Sequence, residues 1–356
     1  MSKENVPARG SSPVVTAAAI VIIIAGVMQV TSIITPILLA VFASIICAQP
    51  VNWLVSKRIP HGLAVFFVLL GIVLVFFGLG RIAGGSLGRF SRDAPRYAAS
   101  LSQMETDFFR YLSERGVEVT DDQLAELLNP GKIMIFTASI LRQLGALMSN
   151  MALTFFIVIF ILLEAGSFAV KTRAIFRKPT ETMEYLARIE QSIRHYMSIK
   201  TLIGLMTGAL IWLWLTIIGV DYAVLWGLLA FLLNYIPNIG SIIAGLPTVL
   251  FALVQLGPGG ALWTLGGYAG VNMVIGNVVE PKIMGRGMGL STLIVFLSLI
   301  FWGFVLGTVG MFLSVPLTMT MKIVLQQNPR TRWLATLLGT QEDAQLILDG
   351  KSNSPE

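Results

Sequence analysis

The chain has 356 residues, of which 55% are hydrophobic and only 12% are charged, whereas a soluble domain carries about 25% charged residues. This composition excludes an ordinary water-soluble protein and predicts lipid as the solvent. The net charge of +6 does not predict nucleic-acid binding, because the basic residues lie in short loops beside apolar stretches, where they orient a protein in the membrane. One cysteine and two histidines leave too few ligands for a metal cluster, so we expect no metal and no cofactor.

Residues 1–82 are predicted to hold three transmembrane helices after a polar start. Residues 14–53 contain no charged residue, and about 20 apolar residues in a helix cross the hydrocarbon of a bilayer. We expect helices at about 13–30, 35–54 and 62–82, with a short basic loop before the third helix.

Residues 83–145 change in character and are predicted to form a small extramembrane helical region. Acidic and basic residues are balanced there, and apolar residues recur at the spacing of an amphipathic helix. Residues 146–200 are predicted to contain a fourth transmembrane helix, at about 147–169, followed by a basic amphipathic helix at 171–200.

The distribution of lysine and arginine predicts the orientation of the chain. Positive loops favour the cytoplasmic side, and four basic stretches lie at 56–61, 171–200, 282–286 and 322–332. We therefore predict cytoplasmic N- and C-termini, a cytoplasmic tail at 326–356 and a periplasmic position for residues 83–145.

Residues 201–325 are predicted to form a core of broken helices. A fifth helix is expected at about 201–220, and residues 222–256 then lack any charge, which is too long for one span and short for two. The middle of this stretch reads NYIPNIGS (234–241), where proline removes a backbone donor and glycine frees the chain to bend. We predict a re-entrant hairpin that is closed by the Gly-Pro-Gly-Gly sequence at 257–260.

A second broken stretch follows a full helix at about 261–279. Residues 290–321 are uncharged and are predicted to break at Gly303, Gly307 and Gly310. Counting the spans gives the two units opposite orientations, and inverted repeats with broken helices are a recurring plan of transporters. The predicted fold class is an all-α integral membrane protein with about eight membrane segments, including two re-entrant hairpins in an inverted repeat.

Several motifs in the C-terminal half carry a family resemblance. They are NYIPNIGS at 234–241, EPKIMG at 280–285, GLS at 289–291 and the stretch from Gly307 to Pro316. These residues resemble the AI-2E (autoinducer-2 exporter) transporter family. The resemblance covers nearly the whole chain and is weakest in residues 83–145 and the tail. It implies a homo-oligomeric secondary transporter in the bacterial inner membrane that exports autoinducer-2, a small polyhydroxylated signal.

A neutral, hydroxyl-rich solute needs hydrogen-bonding side chains in a dry passage, and glycine where the backbone must approach. Amides buried in apolar stretches are costly unless they are satisfied, so they are candidates for contact with the solute. The residues predicted for the substrate pathway are Asn234, Pro237, Asn238, Gly240, Ser241, Asn272, Asn277, Gly307 and Gly310. The alternative is that the amides cap the broken backbone or hold one helix against another.

Ionisable residues in or beside membrane spans are functional candidates by default. Glu280 is expected to pair with Lys282 or Arg286, either as a cytoplasmic gate or as a structural salt bridge. Glu164 is expected to pair with a basic residue of 171–178, and Asp221 to cap a helix. The predicted gating or coupling residues are Glu280, Pro281, Arg286 and Glu164.

Two other functions stay open at this point. The resemblance also extends to proposed sodium (or lithium)/proton antiporters, although the acids here lie near the ends of spans. A non-transporting membrane scaffold would use residues 83–145 as an interaction module. An enzyme is not expected, because the chain has no HExxH motif and no paired catalytic carboxylates, and a P-loop for direct use of ATP is also missing.

Overall fold

Helices account for the regular structure of the chain. The computed structural model describes residues 13–115, 139, 151–175, 179–237, 239–284 and 289–349. Within these residues no β-strand forms, which confirms the predicted all-α class. In chain order the helices are α1 (Pro13–Gln29), α2 (Thr31–Ser56), α3 (His61–Glu114), α4 (Met151–Ile175), α5 (Pro179–Ile218), α6 (Ala223–Leu233), α7 (Gly240–Val274), α8 (Glu280–Met284), α9 (Thr292–Gln327), α10 (Arg332–Leu338) and α11 (Gln341–Leu348). A short π-helix, Ile275–Val279, joins α7 to α8.

The described helices are apolar enough for a membrane. Four stretches have the length and hydropathy of membrane-crossing helices, namely Thr31–Ser56, Met183–Ile218, Gly240–Met284 and Thr292–Gln327. Large side chains such as Phe77, Ile217 and Phe304 are 69–70% exposed, and an apolar surface of this kind is unfavourable in water. The chain is therefore a multi-pass membrane protein.

The N-terminal helices α2, α3 and α4 pack around a small apolar core. Its buried side chains come from all three helices and are Ala40, Cys47, Val51, Ala64, Val65, Leu69, Val158 and Leu162. The His61 Nε2 atom lies 3.3 Å from the carbonyl oxygen of Leu162, which joins the start of α3 to α4. Cys47 thus has a packing role in this core.

Two long helices pass through positions where the composition predicts a boundary. Helix α3 continues past residue 82 to Glu114, and α5 passes residue 200 without interruption. A change from apolar to charged residues does not end a helix by itself, because the backbone hydrogen bonds continue where no proline stands at the boundary. Residues 116–138 and 140–145 of the predicted extramembrane region lie outside the described residues.

The chain reverses twice in residues 223–274. The first hairpin consists of α6, the turn 234–239 and the arm 240–256 of α7. A second reversal follows at Gly257, whose φ of 77° and ψ of −172° are not helical. As a result the Thr248 and Tyr268 hydroxyl oxygens lie 3.0 Å apart, whereas a straight helix would separate these residues by about 30 Å. The predicted reversal at 257–260 is confirmed.

The second hairpin consists of residues 292–327 and turns at Gly307. This glycine has φ 67° and ψ −151°, a region in which a β-carbon is strained. The two arms return alongside each other, because the Trp302 Nε1 atom donates to the Thr318 Oγ1 atom at 3.0 Å, over a sequence distance that spans about 24 Å in a straight helix. The predicted break at Gly307 is confirmed, whereas Gly303 and Gly310 lie within the helical arms.

Both hairpins use a glycine in the same way. A β-carbon on Gly240 would lie 1.8 Å from the carbonyl oxygen of Leu233, and one on Gly310 would lie 1.9 Å from that of Trp302. Each glycine therefore lets the returning arm touch the backbone of the arm before it. Gly240 and Gly310 therefore have the same packing role in their hairpins.

The C-terminal helices α10 and α11 dock near the loop before the second hairpin. The Lys322 Nζ atom donates to the Gly289 carbonyl oxygen and, at 2.7 Å, to an Asp343 carboxylate oxygen. The Ser291 N–H donates to the Leu338 carbonyl oxygen at 3.2 Å. The segment after α9 is therefore attached to the core in a defined position.

Candidate functional site

One face of α5 carries the polar residues that meet the core. Tyr196, Lys200 and Thr207 follow at steps of four and seven residues, so they lie on the same side of the helix. Helix α6 packs closely against this helix, because a β-carbon on Gly208 would lie 2.7 Å from the carbonyl oxygen of Gly227. Small residues at a membrane helix interface allow this close approach.

A recess forms between α5, the first hairpin and the returning arm of α7. The space enclosed in it is about 10 Å³, which is room for about one water molecule. Its lining is contributed by every one of these elements and comprises Thr207, Ile211, Ala230, Asn234, Ser241, Tyr268, Val271 and Asn272. These lining residues include no acid and no base, so the recess is polar without a formal charge.

Two polar atoms in this recess find no hydrogen-bond partner among the described residues. They are the Thr207 hydroxyl oxygen and the Asn234 side-chain nitrogen, and both are buried. A threonine in a helix commonly donates to the carbonyl four residues earlier, as Thr201, Thr248 and Thr264 do here. A buried polar group without a partner costs about 1–3 kcal/mol. The recess thus presents groups that a polar occupant would satisfy.

A buried ion pair lies one to two turns from the recess along α5. The Lys200 Nζ atom donates to a Glu280 carboxylate oxygen, with 5% of the lysine side chain and 21% of the glutamate side chain exposed. Lys200 is a partner of Glu280 that the sequence analysis did not name, and no ion pair between Glu280 and Lys282 is found. The α5 face brings Lys200 to the start of α8, which the local sequence around Glu280 does not reveal, and Arg286 lies outside the described residues.

Further hydroxyl groups surround this pair. The Tyr235 and Thr201 hydroxyl oxygens lie 2.7 Å apart, and the Tyr235 ring stacks on Phe312 of the second hairpin at 5.9 Å. The hydroxyl oxygen of Tyr196 is buried without a hydrogen-bond partner in the described chain. Tyr235 therefore connects the turn of the first hairpin both to α5 and to the second hairpin.

The π-helix separates the recess from the ion pair. It begins three residues after Asn272 and ends next to Glu280. A single π-turn within a helix is rare and often marks a functional position. Asn277 lies within it, is exposed and does not line the recess.

The predicted pathway residues fall into three groups. Asn234, Ser241 and Asn272 line the recess. Pro237 and Gly240 belong to the turn and returning arm of the first hairpin, whereas Gly307 and Gly310 shape the second hairpin. Asn238 lies outside the described residues.

The other predicted acidic residues lie away from the recess. Glu164 pairs with Lys171, as expected, but more than half of each side chain is exposed, and exposed pairs stabilise little. Asp221 does not cap a helix with its side chain, because α6 is capped at Tyr222 without a side-chain hydrogen bond. Its carboxylate instead accepts from the Tyr97 hydroxyl of α3 at 2.8 Å.

Helix α3 closes over the loop that contains Asp221. The Tyr222 hydroxyl donates to Asp93 of α3, and the Gln255 side chain bonds both the Asp221 N–H and the Gly219 carbonyl. Burial and the hydrogen bond to Asp221 raise the pKa of Tyr97, and burial with the Asp93 contact raises the pKa of Tyr222 to about 12. Both hydroxyl groups therefore stay protonated at neutral pH and donate.

Three residues of the site escaped the sequence analysis. Thr207, Lys200 and Tyr268 contribute a hydroxyl, a charge and an aromatic wall. A possible signal was the spacing of Lys200 and Thr207, which puts two polar residues on one face of an otherwise apolar helix.

The sequence GGSLG at 84–88 fits the pattern of a nucleophilic serine, which normally stands on a turn from a strand to a helix. Here the motif lies inside α3 and Ser86 is buried.

Known proteins resemble this chain over almost all of its length. The family model described as "AI-2E family transporter" matches residues 17–330. The AI-2 transport protein TqsA of Escherichia coli K12 is 40% identical over 338 residues, covering 95% of this chain and 98% of that protein. A putative transport protein of Haemophilus influenzae is 40% identical over 332 residues, covering 92% and 95%. The putative transport protein YhhT of Escherichia coli K12 is 33% identical over 322 residues, covering 90% and 92%.

The matched residues cover most of the chain. They include both hairpins, the recess and the Lys200–Glu280 pair. The chain therefore belongs to the AI-2E transporter family.

Proposed function

We propose that this chain exports autoinducer-2 across the bacterial inner membrane as a secondary transporter, through the core at 201–325. The observation that carries the proposal is the recess beside the first hairpin, with two buried polar atoms that have no partner in the described part of the chain. The family is one of transporters, and the relative TqsA is named for transport of AI-2. A role as an enzyme finds no support in these relatives.

The lengths of the hairpin arms support re-entrant hairpins. Helix α6 has 11 residues, which is about 16 Å at 1.5 Å per residue. The arm 292–306 is about 22 Å long on the same scale. The hydrocarbon core of a bilayer is about 30 Å thick, so these arms are too short to cross it. Each hairpin therefore begins with an arm that stops short of the opposite face, which supports entry and exit on one side of the membrane.

The proposed topology follows from these hairpins. The full helix α5 precedes the first hairpin, and the arm 258–274 with α8 precedes the second, so the two units repeat with opposite orientation. About eight membrane segments result, with both termini and the tail 326–356 in the cytoplasm and residues 83–145 in the periplasm. Units of this kind are proposed to assemble as a homo-oligomer.

We further propose how the site operates. The first hairpin moves relative to α5 and the arm 258–274, and thereby opens the recess alternately to each side. Gly240 and Gly257 absorb the change in backbone direction, and the Lys200–Glu280 pair with Pro281 forms the gate. Hinge and gating movements of this type are concentrated in a few residues between rigid elements.

Efflux of labelled autoinducer-2 from proteoliposomes tests the function. Replacing Pro237 by alanine should remove the fixed turn and slow the efflux by about tenfold or more, because a mispositioned hairpin cannot complete its cycle. Pro95→Ala in α3 is the matched control, since this proline lies outside both hairpins. Equal efflux rates for Pro237→Ala, Pro95→Ala and the unchanged protein would contradict the proposal.

A sodium or lithium/proton antiporter is the second candidate. The observation in its favour is a carboxylate, Glu280, held in a buried ion pair within the core. Proton movement in vesicles after a sodium or lithium pulse, and its loss in Glu280→Gln protein that is still folded after reconstitution, would support the antiporter. Efflux of autoinducer-2 without any response to the pulse would reject it.

A further inference from the structure

We propose that α3 holds the first hairpin through an outer latch, and that opening of this latch frees the hairpin to move. The outer latch consists of two hydrogen bonds, from the Tyr97 hydroxyl to Asp221 and from the Tyr222 hydroxyl to Asp93. The proposal rests on the proposed transport function, in which movement of this hairpin is the central step. It adds a second point of control, at the periplasmic end of the proposed topology, opposite the buried ion pair.

The two latch residues of α3 reach the hairpin because they share one face of the helix. Asp93 and Tyr97 are four residues apart, which places one above the other. Pro95 lies between them on the opposite face by the same geometry, and it is exposed. Their partners, Asp221 and Tyr222, are adjacent in the loop where the first hairpin begins. One turn of α3 therefore holds two consecutive residues of this loop.

The hairpin behind the latch has a possible hinge at each end. Gly219 and Gly257 have φ values of 80° and 77°, which glycine adopts without the strain that a β-carbon causes. A β-carbon on either residue would meet nothing within 4 Å, so the direction of the backbone, and not close packing, calls for glycine at both positions. Hinges are typically a few residues at the ends of rigid elements. Residues 220–256 can therefore move as one unit.

The side chain of Gln255 joins the two ends of this unit. Its oxygen accepts from the Asp221 N–H at 2.8 Å, and its nitrogen donates to the Gly219 carbonyl oxygen at 3.1 Å. On the returning arm, the Phe251 ring lies 4.9 Å from the Tyr97 ring, centroid to centroid. The outer latch therefore contacts both ends of the hairpin, the first through hydrogen bonds and the second through ring packing.

Two features of the latch favour its release. Asp93 and Asp221 are exposed, so water can replace each tyrosine hydroxyl, and exchange of such a bond for one with water has a small net cost. Tyr222 has a φ of 58°, a left-handed conformation that is unfavourable for a residue with a β-carbon. Backbone strain of this kind persists only where the surroundings hold it, and it is concentrated at switch regions and active sites. Loss of the Asp93 contact lets this backbone relax.

A permanent brace between α3 and the hairpin is the competing explanation. A brace and a latch both stabilise the hairpin, so loss of the hydrogen bonds alone does not distinguish them. They differ in the effect of a covalent bond across the contact. Such a bond changes nothing in a brace that never opens, whereas it stops a hairpin that needs the contact to open.

Hydrogen–deuterium exchange of the full chain in lipid nanodiscs tests whether the contact holds the hairpin. Tyr97→Phe/Tyr222→Phe removes both hydroxyl groups and keeps the rings, and Tyr222→Phe alone leaves the buried Tyr97 intact. Tyr185→Phe is the matched control, because it lies at the opposite end of α5 from the hairpin. We expect amides of residues 240–256 to exchange about tenfold faster in the double variant, since two hydrogen bonds are lost.

The N-terminal core provides the internal reference for this measurement. Amides of residues 40–69 should exchange at the same rate in every variant. Should the double variant lose protection there as well, Tyr222→Phe alone decides, with a smaller acceleration expected in residues 240–256 only. Exchange in residues 240–256 that equals that of the unchanged protein and of Tyr185→Phe would overturn the proposal.

Reversible cross-linking tests whether the contact opens. In a Cys47→Ser background, a bifunctional methanethiosulfonate reagent joins the two thiols of Asp93→Cys/Tyr222→Cys, and a reductant releases them. Gln103→Cys/Arg110→Cys is the matched control, because both residues are exposed on the outer part of α3 and lie within one helix. Exchange in nanodiscs and efflux of labelled autoinducer-2 from proteoliposomes are measured before and after reduction.

We expect the cross-link across the latch to slow exchange in residues 240–256 severalfold and efflux about tenfold or more, because the hairpin can no longer open. Reduction should restore both rates, and the control cross-link should change neither.

Two results of the cross-linking experiment would overturn the proposal. One is equal exchange in the cross-linked and reduced protein, which is the result expected of a permanent brace. The other is efflux that continues at the same rate through the cross-linked protein, which would leave the proposed export standing. Slower exchange after cross-linking, without efflux of autoinducer-2 from the unchanged protein, would support the latch and contradict the proposed export.

Discussion

Replacing Glu280 by glutamine should destabilise the protein strongly, because it leaves the Lys200 ammonium group without its counter-charge. The lysine side chain is 5% exposed, and removal of one partner from a buried ion pair costs about 3–5 kcal/mol. Neutralising an ordinary lysine at pH 7 costs about 4.6 kcal/mol, which sets an upper limit. We therefore expect a loss of about 3–4 kcal/mol in the free energy of unfolding.

The reverse change should cost less. In Lys200→Met the unpaired group is the Glu280 carboxylate, which at 21% exposure can still reach solvent, so about 1–3 kcal/mol is expected. The double variant Lys200→Met/Glu280→Gln removes both charges and should recover part of the loss. The coupling between the two sites should be about 2 kcal/mol.

Denaturant unfolding in detergent micelles, followed by tryptophan fluorescence, measures these free energies. The chain supplies a matched control in Glu164→Gln, which breaks an ion pair of the same type that is more than half exposed on both sides. This control should leave the unfolding midpoint unchanged, because exposed pairs contribute little. Equal losses of unfolding free energy in Glu280→Gln and Glu164→Gln would refute the reasoning. So would a double variant whose loss equals the sum of the losses in Lys200→Met and Glu280→Gln.

Two further predictions concern the hairpins and the tail. Gly310→Ala should destabilise the protein by about 1–3 kcal/mol, because the new methyl group would lie 1.9 Å from a backbone oxygen. Gly266→Ala, which meets nothing within 4 Å, should be neutral or stabilising when the same unfolding curves are compared. Asp343→Asn should speed proteolysis of the tail severalfold, because it weakens the contact with Lys322. Glu342→Gln is the control and should leave the cleavage rate unchanged. Equal cleavage rates for the two variants would contradict the docking of the tail.

The broken helices could be predicted because their signals are local. Glycine and proline act on the backbone where they stand, so NYIPNIGS and the stretch around Gly307 indicated the breaks without any tertiary information. Asn234 and Ser241 were named because they stand beside the first of these breaks, and both line the recess.

The partners across helices could not be predicted in this way. Lys200 lies 80 residues from Glu280, and Thr207 and Asn234 line one recess because α5 packs against α6. Such pairs depend on which helix faces touch, and Gly208 and Gly227 set that contact through their lack of side chains. The helix ends expected near residues 82 and 200 are not found, because a helix can continue past a change from apolar to charged residues.

A single cysteine at Ser241 tests the central claim most directly. In a background with Cys47→Ser, we predict that an impermeant thiol reagent modifies the new cysteine from either side of the membrane, and that autoinducer-2 slows the reaction from both. Ser241 lines the recess, so this result would reveal alternating access to it. Modification from one side alone, or from neither, with no protection by autoinducer-2, would contradict the account.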